Sequence, residues 1–273
     1  MIRFPWPKPA LILALCGALP AAAQVADLRS TTQFRVCADP ANAPMSMKDG
    51  SGFENRLAEK FGEWLGKPVS YTWFPSGIGF ITKTLRAGTC DVVMGYAQGD
   101  ELVQNTNHYY TSVFGIVTRK DSDLASVDRL TDPALKDRPL GVVAGSPPAT
   151  IMARAGLAKN MHGADLFVDR RVKDPVGDLL QGVRDGTYDA AVLWGPLAGP
   201  RVKDDPDLQF TPLLKETTGP KMAYRITMGV RQGEQEWKRE LNSLIRRRQD
   251  EINQVLHEAG VPLVDDYGKE LLP

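Results

Sequence analysis

Few side chains in this sequence could do covalent or metal chemistry, and their spacing argues against it. His108, His162 and His257 are the three histidines. None has a ligand partner four residues on, where one helix face could offer zinc two side chains. No Gly-x-Ser-x-Gly elbow presents a nucleophile, no Gly-Lys-Ser/Thr loop cradles a phosphate, and no dinucleotide fingerprint follows a strand. Cys-x-x-Cys-His, which would attach a haem, is absent. Asp49, Asp265 and Asp266 lack the alternating oxygen ligands of a calcium loop and read as solvated turn carboxylates. The sequence therefore predicts a chain that is not an enzyme, holds no metal or cofactor of its own, and works by binding.

What remains is a set of residues at strand ends. In "RVCADPANAPMSMKDGSGFE", from Arg35, a β-type run stops at Asp39-Pro40 and passes a turn containing Pro44, Met45 and Met47. The chain then enters a helix whose Phe53, Leu57, Phe61 and Leu65 recur every four positions, with Glu54 in its first turn. In an open α/β sheet such a turn lies at the carboxyl end of a strand, where ligands bind. Other strand ends offer Trp73 and Phe74, then Tyr96, then Tyr109 and Tyr110. Further along come Ser146-Pro147 at a helix start, and Trp194 and Pro196 in "LWGPLAGP". Each aromatic alone reads as core, since aromatic residues dominate buried area. Together they predict a crevice that is apolar and aromatic.

The elements that must position these residues come in two similar halves. "LRAGTCDVVMG" from Leu85 recurs as "VRDGTYDAAVL" from Val183, each a helix end, a Gly stop and an Asp opening a short buried strand. "FRVCADPANAP" and "PLGVVAGSPPAT" repeat the strand–turn–helix start. Parallel strands alternating with helices in two halves predict an α/β bilobal protein. Two extended segments, Ser112 to Ser122 and Ala223 to Gly233, read as strands crossing between lobes. Lobe one is then residues 28–117 plus 229–273, and lobe two residues 118–228. A long helix is expected from Glu234 to about Glu258, with Arg246, Arg247 and Arg248 on a solvated face.

Residues 1–23 read as a secretory signal peptide: Arg3 and Lys8, an apolar run from Ala10 to Leu19, then Ala21-Ala22-Ala23. Leu15 is too bulky for the lipobox that Cys16 would need, so no membrane anchor is expected. The compartment is the periplasm. Removing the leader leaves Cys37 and Cys90, either a disulfide stabilising by about 4 kcal/mol or two separate buried thiols. Acidic and basic residues number 33 each among 273, a balance that gives no basic stripe for nucleic acid.

This pattern resembles the type II periplasmic solute-binding proteins of ABC transporters. Receptors of that class clasp a ligand carboxylate with an Arg shortly before a Pro-Tyr-Tyr segment. Here "AGTCDVVMGYAQGDELVQNTNHYYTSVFGIVT" has neither Arg nor Lys, and His108 stands where Pro is usual. The second-lobe turn carries Pro147 and Pro148, which have no N–H to offer an anion, and Trp194 replaces a polar contact.

More narrowly, "RVCADP…APMS…GFENRLAE", "VSYTWFP…TLRAGTCDVVMG" and "DAAVLWGPLAG" resemble the MxaJ/XoxJ family encoded beside quinoprotein methanol dehydrogenases of methylotrophs. That resemblance implies an accessory role in methanol oxidation. The implied partner is a dehydrogenase carrying pyrroloquinoline quinone (PQQ) with calcium or a lanthanide, together with its cytochrome c. The other reading is an ABC-type receptor for a small uncharged or aromatic solute.

Overall fold

The computed structural model describes residues 1–2, 28–166, 168–217 and 219–273; the leader segment, from residue 3 on, lies outside the described residues. The first strand, β1 (Phe34–Ala38), leads through a hairpin of β2 (Ala41–Asn42) and β3 (Ser46–Met47) into α1 (Phe53–Leu65). After β4 (Val69–Trp73), a short α2 (Phe80–Lys83) precedes β5 (Val92–Ala97) and a 16-residue strand, β6 (Gln104–Arg119). The middle of the chain forms β7 (Leu140–Val143), α3 (Pro147–Arg154), β8 (Met161–Ala164), α4 (Pro175–Arg184), β9 (Ala190–Trp194), α5 (Gly195–Val202) and β10 (Leu208–Pro212). The chain returns by β11 (Ala223–Val230) and ends on α6 (Gln235–Arg247) and α7 (Gln249–Ala259).

The sheet explains why two lobes result. Strand order is β4-β1-β5-β11-β6-β9-β7-β8, with β10 also on β6. β1 runs parallel to β4 and β5, and β7 runs parallel to β8 and β9, so each lobe repeats the same parallel unit. The strand β6 serves both lobes, pairing β11 from Gln104 to Val113 and β9 from Phe114 to Thr118. The change of partner falls between Val113 and Phe114. β11 pairs with β6 from Gln104 to Val113 and, over its residues 226–229, with β5. An apolar run that continues through both lobes carries no mark of where its neighbours change.

The internal echo is structural. Gly88 and Gly186 both take positive φ, and the Asp residues that follow anchor each lobe. Asp91 accepts from Arg35 Nη2 and Arg231 Nη2 at 2.6 Å each, and Asp189 accepts from Arg138 Nη1 at 3.4 Å. Burial alone would raise the pKa of Asp91, but the two guanidinium groups and the Ser30 N–H bring it below the usual carboxylate value. Cys37 in β1 and Cys90 just before β5 are joined in a disulfide, with Cα atoms 5.4 Å apart. Of the two readings left open for these cysteines, the bridge holds.

One expectation needs correction. The helix expected from Glu234 to about Glu258 is two helices, broken at Arg248 with φ −118° and ψ 19°. Ile245 and Ile252, both buried, keep a helical spacing across the break, so periodicity could not reveal it. Arg248 itself stacks 5.6 Å from the Trp64 ring centroid and bonds Glu251, while Arg247 donates to Ser243 Oγ.

Candidate functional site

The carboxyl ends of β1 and β5, the opening turn and the loop before α2 enclose a cavity of about 560 Å3 in lobe one. Its walls include Ala38, Asp39, Met45, Glu54, Phe80 and Tyr96, and no Lys, Arg or His is among its lining residues. Asp39 is buried at 4% exposure and organises the rim. Its Oδ1 accepts from the Ala41 N–H at 2.9 Å and its Oδ2 from the Ser76 N–H at 2.7 Å, pinning two loops at once. At the outer edge Asp100 accepts from Tyr96 Oη at 2.9 Å and from the Leu102 N–H at 2.8 Å. Burial and that neighbouring carboxylate raise the phenol's pKa.

Glu54 behaves differently. Its backbone N–H donates to Met45 O at 2.9 Å, which fixes the start of α1 against the opening turn. The side chain turns inward, and Oε1 has no hydrogen-bond partner although the residue is only 7% exposed. Burial pushes its pKa up to about 8. Gly95, at φ 65°, makes room for it: a Cβ there would sit 1.9 Å from Glu54 Oε1.

The remaining candidates are dispersed. Trp194 ends β9 with its ring centroid 5.0 Å from Phe114 and 5.9 Å from Tyr224, an aromatic cluster at the hinge. It also packs on the lobe-one core. Phe53, Tyr109, Tyr110 and Pro196 are buried in the packed body, and none of them lines the lobe-one cavity. Tyr109 Oη accepts from the Gly95 N–H at 2.9 Å, while Tyr110 Oη has no partner. Trp73 stacks on Tyr71 at 4.6 Å, and Phe74 packs beside the disulfide with Lys83 Nζ 5.4 Å from its ring. Ser146 Oγ is turned to Val143 O at 2.6 Å, and Pro147 opens α3. Pro44 lies in the opening turn, and Pro44 O accepts from the Phe53 N–H at 3.0 Å. The structure thus brings together Asp39, Met45, Glu54 and Tyr96.

Sequence reasoning missed the rim. Ile78, at the tip of "SGIGF", is 97% exposed, and Leu102 is 45% exposed; both line the cavity. An isoleucine between two glycines in a loop was the available signal. A guanidinium between the lobes was also missed. Arg201 on α5 donates to Ala43 O at 2.8 Å and to Asp174 Oδ2 at 2.6 Å. Both terminal nitrogens are engaged by the protein, so this cation ties lobe two to the opening turn. A larger hollow of about 870 Å3 lies beside the first half of β6 under the C-terminal segment, walled by Asn105, Asn107, Lys238 and Asn253. There His108 Nε2 lies 2.8 Å from Asp266 Oδ1, away from the strand ends.

Residues 34–256 match the bacterial extracellular solute-binding proteins, family 3, and the chain belongs to that family. Within it the chain falls in the MxaJ/XoxJ group. It is 30% identical to Protein MoxJ of Methylorubrum extorquens AM1, over 92% of this chain and 92% of that protein. The crystal structure of periplasmic binding protein XoxJ from Methylobacterium extorquens AM1 aligns at 35% identity with a TM-score of 0.73, covering 85% of this chain and all of that one (100%). The structure of MxaJ from Methlophaga aminisulfidivorans MPT aligns at 26% identity and TM-score 0.73, with the same coverages of 85% and 100%. Among the described residues, no helix is long and apolar enough to cross a membrane.

Proposed function

We propose that this chain is a non-catalytic periplasmic accessory factor of a PQQ-dependent methanol dehydrogenase. It binds an exposed, partly apolar segment of the dehydrogenase during maturation or activation. The observation that carries this reading is the lobe-one cavity, which has an apolar rim of Ile78 and Leu102 and no basic residue in its lining. A receptor for a free zwitterion needs a cation for the carboxylate, desolvated and bidentate. Arg201 is already committed to Ala43 and Asp174. At the hinge, Trp194, Phe114 and Tyr224 pack on one another as an aromatic cluster. Resemblance to MoxJ, XoxJ and MxaJ supports the methanol-oxidation context and the compartment. Lobe one (28–117 with 229–273) and lobe two (118–228) act in this reading as two bodies around the shared strand.

The test is direct binding of cofactor-free dehydrogenase to the mature chain. The pair Ile78→Asp and Leu102→Asp, at exposed positions, should weaken it at least tenfold without changing the melting temperature. Unaltered affinity would place the contact elsewhere. A second reading, an ABC-type receptor for a small uncharged or aromatic solute, is favoured by the cavity's size, about 560 Å3, which lies in the range of small-molecule sites. It predicts a thermal upshift with one such compound, since a ligand at a hundredfold its Kd stabilises by about 2.7 kcal/mol.

A further inference from the structure

Resting on the reading that the lobe-one cavity meets a segment of the dehydrogenase, we propose that this cavity receives a lysine or arginine side chain of that segment. The aliphatic stem would lie along Met45, Phe80 and Tyr96, and the cationic head would donate to Glu54.

Three carboxylates line the cavity, and two of them are already committed. Both oxygens of Asp39 are taken by backbone N–H groups of Ala41 and Ser76, and Asp100 is held by Tyr96 and Leu102. Glu54 is the one with acceptor capacity to spare, since its Oε1 is buried without a partner. A buried polar group left without a hydrogen bond is costly, and a donor entering from outside removes that cost. The chemistry of the donor follows from its surroundings. With no Lys, Arg or His in the lining and the carboxylates of Asp39 and Asp100 facing the space beside the Glu54 carboxyl, an anion is repelled. A purely apolar anchor would fill the cavity but leave Glu54 unpaired. A cation on an apolar stem satisfies both, and the Tyr96 ring offers its face to the charge as well. The close approach of Gly95 fits a carboxyl held at this place, because any side chain there would collide with Oε1 at 1.9 Å.

The probe is n-butylammonium, compared with butyrate and 1-butanol, titrated into the mature chain by calorimetry or NMR. The wild type should bind the ammonium at least tenfold more tightly than either other probe, and Glu54→Gln should abolish the preference. Leu102→Lys, at a 45%-exposed lining position, brings its own ammonium to the mouth and should weaken butylammonium tenfold. Equal binding of the three probes overturns the proposal, as does a preference that survives in either folded variant. In a second arm, excess butylammonium should displace cofactor-free dehydrogenase from the wild type. A complex indifferent to the amine overturns the assignment to a partner side chain. Absence of any complex, with the cation preference intact, strikes instead at the accessory reading and identifies the site as one for a free organic amine.

Discussion

At the scale of single residues, Glu54 is the group whose environment most departs from its chemistry. Tyr109 and Tyr110 on β6 and Tyr71 on β4 face it, and burial, aided by the nearby carboxyl, raises the pKa of all three phenols. They stay neutral near pH 7, and Asp39 and Asp100 share the cavity. Because the folded pKa of Glu54 is about 8 against an unfolded value of 4.5, its contribution to stability is complete below about pH 4.5. It is lost as pH rises through about 8. Glu54→Gln cannot ionise, so its stability relative to wild type should improve by a few kcal/mol between about pH 5 and pH 9. Parallel urea melts of the two proteins across that range check this; a constant difference would show that Glu54 is already paired. The sequence displayed Glu54 and Asp39 at a strand-end turn, so that half of the site was readable. Ile78 was not, because exposure at a loop tip depends on where the loop is held, and Asp39 holds it through Ser76.

At the scale of elements, the disulfide fastens β1 to the start of β5 beside the cavity floor, where Cys37 and Val93 are register partners. Replacing both cysteines by serine should cost about 2–5 kcal/mol, measured as a lowered denaturation midpoint under non-reducing conditions. An unchanged midpoint would mean that the packing of Phe80, Ile81 and Leu85 around it suffices. Short buried strands such as Ala190–Trp194 were legible because continuous apolar runs between Gly and Asp have few other solutions. The first half of β6 was not legible. Asn105, Thr106, Asn107 and His108 are polar because they line the larger hollow, and polar residues in a strand disguise it as a loop. The break at Arg248 was hidden for the opposite reason, since the stripe runs on through it.

At the scale of the whole molecule, the lobes are joined by more than the shared strand. The end of α7 and the segment after it meet α5 and its C-cap in lobe two: Lys203 Nζ donates to Glu258 O at 2.9 Å, while Ser112 Oγ on the shared strand holds the segment through Pro262 O at 2.6 Å. Gly199 of α5 lies so close that a Cβ would sit 2.4 Å from Gly260 O and 2.8 Å from Pro262 Cδ. Gly199→Val should therefore push α5 away from the C-terminal segment at a cost of about 1–3 kcal/mol. Calorimetry should register this as a melting temperature several degrees lower; an unchanged melt would mean that the segment yields freely. Two lobes were readable from the internal echo, which repeats within one chain. This third connection was not, because it depends on the close approach of glycines far apart in sequence.

The placement of β11 between β5 and β6 has a consequence for how the chain is made. The central slot of lobe one is filled by residues 223–230, which leave the ribosome after the whole of lobe two. The middle of the protein can close as soon as it emerges, whereas the lobe bearing the cavity stays an incomplete sheet until nearly the last residue is available. The half that bears the cavity therefore sets last, after residues 223–230 are available to fill its sheet.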